Sequence, residues 1–128
     1  FREFILQTYA FLSPKSVVLD VAGGKGDLSW LLQNVDGIHS IVVDPRITKC
    51  HHILRSIQYL RDHPEQARER AIPHRPTYQP LATLLPQLEG RTTFDTPQHL
   101  RLLVNQELVF AIRDYQDSGD LEQWKTYW

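Results

Sequence analysis

At 128 residues the chain holds one domain's worth of material, and its 41% hydrophobic and 23% charged content is that of an ordinary globular protein rather than a disordered one. The 14 basic and 15 acidic side chains give a formal net charge of −1, so the chain as a whole is not drawn to a polyanion, while local basic patches remain open. No apolar run approaches the ~20 residues of a membrane span and no signal peptide is recognisable, which leaves a membrane role without support.

Phe1, Phe4, Ile5, Tyr9 and Leu12 recur at threes and fours and predict a helix over 1–12, broken by Ser13-Pro14-Lys15. Val17-Val18-Leu19-Asp20 reads as a strand, and its continuous apolar character predicts burial on both faces, as in a parallel sheet. After the turn Ala22-Gly23-Gly24-Lys25-Gly26, a helix runs from Leu28 to about Asn34 on Leu28, Leu31 and Leu32, and Asp36-Gly37 ends it. Ile41-Val42-Val43-Asp44 is a second strand, stopped by Pro45, which lacks the N–H a ladder needs. Two strands with a helix between them run parallel and cross over right-handed.

A further helix is predicted from Thr48 to about His63 through Ile53, Leu54, Ile57 and Leu60. Pro73, Pro76, Pro80 and Pro86 break the stretch 71–88 into loop with at most a short turn of helix, and Thr92-Thr93-Phe94 is expected as a brief third strand. Pro97 to Asp117 is expected as a long helix, with Thr96 at the N-cap, Pro97 at N1, Gly119 just past the end, and a stripe that includes Leu100, Leu103, Val104, Leu108 and Ile112. Leu121, Trp124, Tyr127 and Trp128 predict one or two final helical turns, whose aromatic side chains would pack against a partner or against parts of a longer protein. There is no internal repeat.

Chemistry concentrates at the glycine turn. Three glycines in four positions let the backbone approach a ligand closely, and Asp20 and Asp44, each at the tip of a strand, frame the same crevice. A carboxylate at position 44 stands one helix and one strand beyond Gly26, where it can accept the hydroxyls of a ribose. The dinucleotide pattern G-x-G-x-x-G lacks its third glycine here, and Asp20 directly before the turn would repel a pyrophosphate, which suits NAD poorly. A phosphate-binding loop for ATP requires Gly-Lys followed by Ser or Thr, whereas Gly24-Lys25 is followed by Gly26. Asp20 suits a ligand with a positive end, and S-adenosylmethionine carries an ammonium and a sulfonium.

Leu19-Asp20-Val21-Ala22-Gly23-Gly24-Lys25-Gly26 resembles the first motif of the class I S-adenosylmethionine-dependent methyltransferases, D-x-G-x-G-x-G, with Ala22 in place of the first glycine. Val42-Val43-Asp44-Pro45-Arg46 resembles their second motif, and the combination is similar to eukaryotic methyltransferase-like proteins. The resemblance is strong over Val17 to Arg46 and loose elsewhere. It implies an α/β fold, a partial Rossmann-like doubly wound parallel sheet with flanking helices, forming a single truncated domain over 1–128. It implies cofactor contacts from Asp20, Ala22, Gly23, Gly24, Gly26, Asp44 and Pro45: the turn backbone and Asp20 near the methionine part, Asp44 on the ribose. Phe94-Asp95 would flank the adenine.

The family carries seven strands with the first near the middle of the sheet, so the half expected to hold the methyl acceptor is missing, and activity is expected of a longer parent rather than of this chain alone. The absence of methionine and the opening Phe1 fit a fragment or processed form. The bare edge of the first strand would be covered by the rest of a larger fold or by a second copy in a homodimer. The alternative is a non-catalytic Rossmann-like module for interaction or dimerisation, and a weaker one is a nicotinamide-dependent oxidoreductase.

Other motifs read as structural. Cys50-His51-His52 does not predict a metal site, because adjacent residues on a helix point about 100° apart and no partner spacing exists. No catalytic set assembles from His63, His74 and His99. Arg55, Arg61, Arg68, Arg70 and Arg75 are interleaved with Asp62, Glu65 and Glu69, the pattern of a solvated helix face rather than an RNA contact, so nucleic acid is not indicated. The single Cys50 excludes an internal disulfide and fits a reducing compartment, hence an intracellular, cytoplasmic expectation.

Overall fold

The computed structural model describes residues 1–47, 49–65 and 79–119. Its elements are α1 (Arg2–Thr8), β1 (Val17–Val21), α2 (Asp27–Asn34), β2 (His39–Val43), α3 (His51–Asp62), α4 (Gln79–Ala82), α5 (Leu85–Leu88), β3 (Gln98–Leu100) and α6 (Gln106–Ser118). The strands make an open, all-parallel sheet in the order β1-β2-β3, with Leu19 opposite Ile41 and Val42 opposite His99. The chain is an α/β protein with flanking helices. Among the described residues no helix is long and apolar enough to cross a membrane.

Because the strand order advances one step at a time, right-handed crossovers lay α2 and α3 on the same face of the sheet. Trp30 of α2 packs there with Cys50, Ile53, Ile57 and Leu88, and Phe94 closes the cluster with its ring 5.0 Å from that of Trp30. Val18, Ser40 and Val42 share this face. Val17, Leu19 and Val21 point the other way and are 56%, 58% and 52% exposed. The expectation that β1 is buried on both faces is therefore corrected: its own crossover covers one face, and nothing among the described residues covers the β1 end of the other.

The first helix is shorter than its periodicity predicts, ending at Thr8, and buries none of its residues. It is held by the Arg2 guanidinium, which pairs with both carboxylate oxygens of Asp36. The third strand is not Thr92–Phe94. Asn34, buried near the end of α2, donates to the Asp95 carbonyl at 2.8 Å and accepts from the Asp95 N–H at 2.9 Å, which pins this segment so that Phe94 packs on Trp30. The strand forms after Pro97, at Gln98–Leu100, where the ladder of β2 is open.

The long helix is corrected for the same reason. Positions 98–100 extend the sheet, and α6 begins at Gln106, with the Asn105 side chain accepting the Leu108 N–H at 2.9 Å. Thr96-Pro97 carries the composition of a helix start, but Asn105 is the residue that caps. Gly119 follows the helix end at φ +67, as its position predicts. The expected final turns over 121–128, and 71–78 of the proline-rich stretch, lie outside the described residues; the rest of that stretch, expected as loop with at most a short turn of helix, holds the two short helices α4 and α5, the second with Pro86 in its first turn, where a missing N–H is not needed.

Candidate functional site

The site is built by the connection from β1 to α2. Ala22, Gly24 and Gly26 all have positive φ, at 57°, 57° and 74°. The alternation gives the G-x-G-x-G pattern a backbone meaning: positions 22, 24 and 26 take the left-handed conformation that glycine adopts freely, and Ala22 holds it at a steric cost of roughly 1–2 kcal/mol. Gly23 is required for another reason. A Cβ there would stand 2.6 Å from the Asp20 carboxylate, which lies directly beneath the turn.

Asp20 is fixed from below by a polar chain. Ser40 Oγ lies 2.9 Å from Ser29 Oγ, and the Ser29 hydroxyl donates to Asp20 Oδ2 at 2.9 Å; both serines are fully buried. Such a chain is stable in an apolar setting only because each member has a partner.

Asp44, one residue past β2, is buried to 1% exposure and accepts four hydrogen bonds. The Gly24 N–H reaches Oδ2 at 3.1 Å; the Arg46 N–H and Nε reach Oδ1 at 2.9 and 3.0 Å, and Arg46 Nη2 reaches Oδ2 at 3.0 Å. Four donors fill the acceptor capacity of a carboxylate. The Arg46 side chain, then its backbone N–H, hold the Asp44 carboxyl well below the usual carboxylate range against the opposing effect of burial, with Gly24 adding to the lowering. His99 of β3 donates from Nε2 to the Asp44 carbonyl at 2.8 Å, so all three strands meet at this tip.

The structure thus brings Asp20, Ala22, Gly23, Gly24, Gly26, Asp44 and Pro45 to one end of the sheet, with the turn tied to the neighbouring strand through Gly24 and Asp44. Phe94 and Asp95 are not there. They meet Trp30 and Asn34, and Asn34 stands eight residues beyond Gly26, roughly 12 Å along the helix, so their expected place beside an adenine is corrected.

Cys50 caps α3 at φ +53, and burial, followed by the nearby Asp27 and Asp20, pushes its thiol up to about 11, so it is protonated at neutral pH. His52 Nδ1 pairs with Asp27 Oδ2 at 2.6 Å. Among the described residues no group of three His, Cys, Asp or Glu side chains converges to hold a metal.

Outside the turn lie two shallow depressions. One, of about 500 Å³, is lined by Gly24, Lys25, Arg46, Ile47, Lys49, His51 and His52; the other, of about 530 Å³, by Lys25, His52, Arg55, Ser56 and Tyr59. The sequence singles out the turn and both acids but not the Arg46 fork, the two serines or Lys49. A cation two residues after an acid is a weak signal by itself, and the serines meet only through the fold.

Compared with family models, curated proteins and solved structures, the chain gives no match.

Proposed function

We propose that this chain is the cofactor-binding part of a Rossmann-like, class I S-adenosylmethionine-dependent methyltransferase. The observation that carries the proposal is the triple positive-φ turn between parallel strands, hydrogen-bonded through Gly24 to the acid at the next strand's tip. A side chain at Gly23 would collide with the Asp20 carboxylate, and one at Gly24 would meet the Arg46 guanidinium, so the turn keeps its backbone shape only with glycine at these positions.

In this reading the turn backbone holds the methionine part and Asp44 the ribose hydroxyls. Bound S-adenosylmethionine supplies an electrophilic methyl group on sulfur. The protein's part is to hold donor and acceptor in line, a positioning role that needs no general base from these residues. Arg46 occupies the Asp44 carboxylate, so ribose binding requires its fork to swing out. The Arg46 side chain is 75% exposed, and it leaves with little loss of packing.

A second reading is favoured by a specific observation, the bare flank of β1. A non-catalytic module would keep the Arg46–Asp44 pair closed and use Val17, Leu19 and Val21 and the adjoining strand edge to meet a second copy. Calorimetric titration with S-adenosylhomocysteine, S-adenosylmethionine and NAD separates the readings. Saturable heat with the two adenosyl sulfur ligands supports the methyltransferase; heat with NAD alone removes it; heat with none favours the module.

A further inference from the structure

We propose that the outer face of the glycine turn and α3 is a binding track for single-stranded nucleic acid. The two depressions share Lys25 and His52 and so form one continuous trough along the exposed side of α3. Among the described residues its linings hold Lys25, Lys49 and Arg55 together with Arg46, whose guanidinium is paired with Asp44, and no carboxylate. Asp27 pairs with His52, and Asp62, further along α3, accepts from Gln58. The chain's net charge of −1 means that this concentration is local and not a by-product of general basicity.

An aromatic platform stands at the far end. Tyr59, 39% exposed, stacks on His63 with ring centroids 4.4 Å apart and planes 21° from parallel. From His52 to Tyr59 is seven residues, about 10 Å along the helix, longer than a single phosphate needs. A cationic trough that ends on a stacked ring matches the chemistry of a flexible strand, whose phosphates follow the cations while an unpaired base lies on the aromatic face. A duplex keeps its bases stacked inside and offers nothing to Tyr59. The sequence pattern around Arg55 reads as a solvated face because three of the trough's cations, Lys25, Arg46 and Lys49, come from outside α3. If the methyltransferase reading holds, this strand is its methyl acceptor; the track itself does not depend on that reading.

The test is fluorescence anisotropy of a labelled oligouridine strand with the full chain. Binding should weaken steeply between about 50 and 200 mM salt, and the Lys49→Glu/Arg55→Glu double variant should bind at least about tenfold more weakly, with the log–log salt slope reduced by roughly 0.7 for each phosphate no longer neutralised. Tyr59→Ala should lower affinity about tenfold with the salt slope unchanged, the mark of removed stacking. No binding at low salt, equal binding by the charge-reversal variant, or a duplex bound as tightly as the strand overturns the proposal. So does Tyr59→Ala binding like the parent, which leaves polyanion adherence only. S-adenosylhomocysteine calorimetry on Arg55→Glu keeps the two readings apart: retained heat without strand binding locates a failure in the track, and strand binding without heat locates it in the cofactor site.

Discussion

Beneath α2 and α3 the sheet is finished, and on the opposite side of β1 it is not. Ser40 and Val42 have no exposed surface, while Val17, Leu19 and Val21 each keep more than half of theirs. Both rows belong to strands of the same apolar character. A parallel strand written in Val, Ile and Leu is suited to two covers, but its own right-handed crossover delivers only one. The candidate site sits at the end of the sheet and depends on the finished side: Ser29, Ser40 and Asp20 form their chain under α2.

The sharpest way to break this comparison is to truncate one residue on each side. Trp30→Ala should cost about 3–5 kcal/mol of unfolding free energy, because it empties the centre of the core, whereas Leu19→Ala should cost less than about 1 kcal/mol. Urea denaturation measures both. Equal losses would mean that the outer face is covered in solution.

Ser29→Ala removes the donor that satisfies Asp20 and should cost about 1–3 kcal/mol by the same measurement, while Val21→Thr, on the open face, should stay within about 0.5 kcal/mol.

Acid titration addresses the tip of β2. The folded-state pKa of Asp44 lies below its unfolded value of about 3.9, so its contribution to stability is present at neutral pH and drains away as pH falls below about 4 toward the folded value. Asp44→Asn should lower stability at pH 7 and flatten the loss between about pH 5 and 2. A variant with an unchanged acid limb would contradict the Arg46 and Gly24 contacts. The smallest effect is expected at Ala22→Gly: relief of the left-handed strain, offset by glycine's greater unfolded-state freedom, should raise stability by about 0.5 kcal/mol.

How far these features are legible in the sequence follows from how local they are. β1, α2, β2 and α3 are each marked by their own apolar spacing and by Gly37, Pro45 or the glycine turn, so they are readable to within a few residues. β3 is Gln98-His99-Leu100, which carries no strand pattern; it is a strand because β2 offers an unpaired ladder. The start of α6 is obscured because Thr96-Pro97 imitates a helix cap eight to nine residues before Asn105 supplies one. At the site, the turn and Asp44 announce themselves through residue type. The occupation of Asp44 by Arg46, the burial of two serines eleven residues apart in different elements, and the gathering of Lys25, Arg46 and Lys49 beside Arg55 depend on where the chain folds back.

The central claim, that the turn is an adenosyl-ligand cradle, is tested most directly by following backbone amide resonances during titration with S-adenosylhomocysteine. Saturable shifts confined to positions 22–26 and 44–46, and abolished by Asp44→Ala, are the predicted result. Unmoved amides across the turn at saturating ligand, or shifts that cluster elsewhere and survive Asp44→Ala, would contradict it.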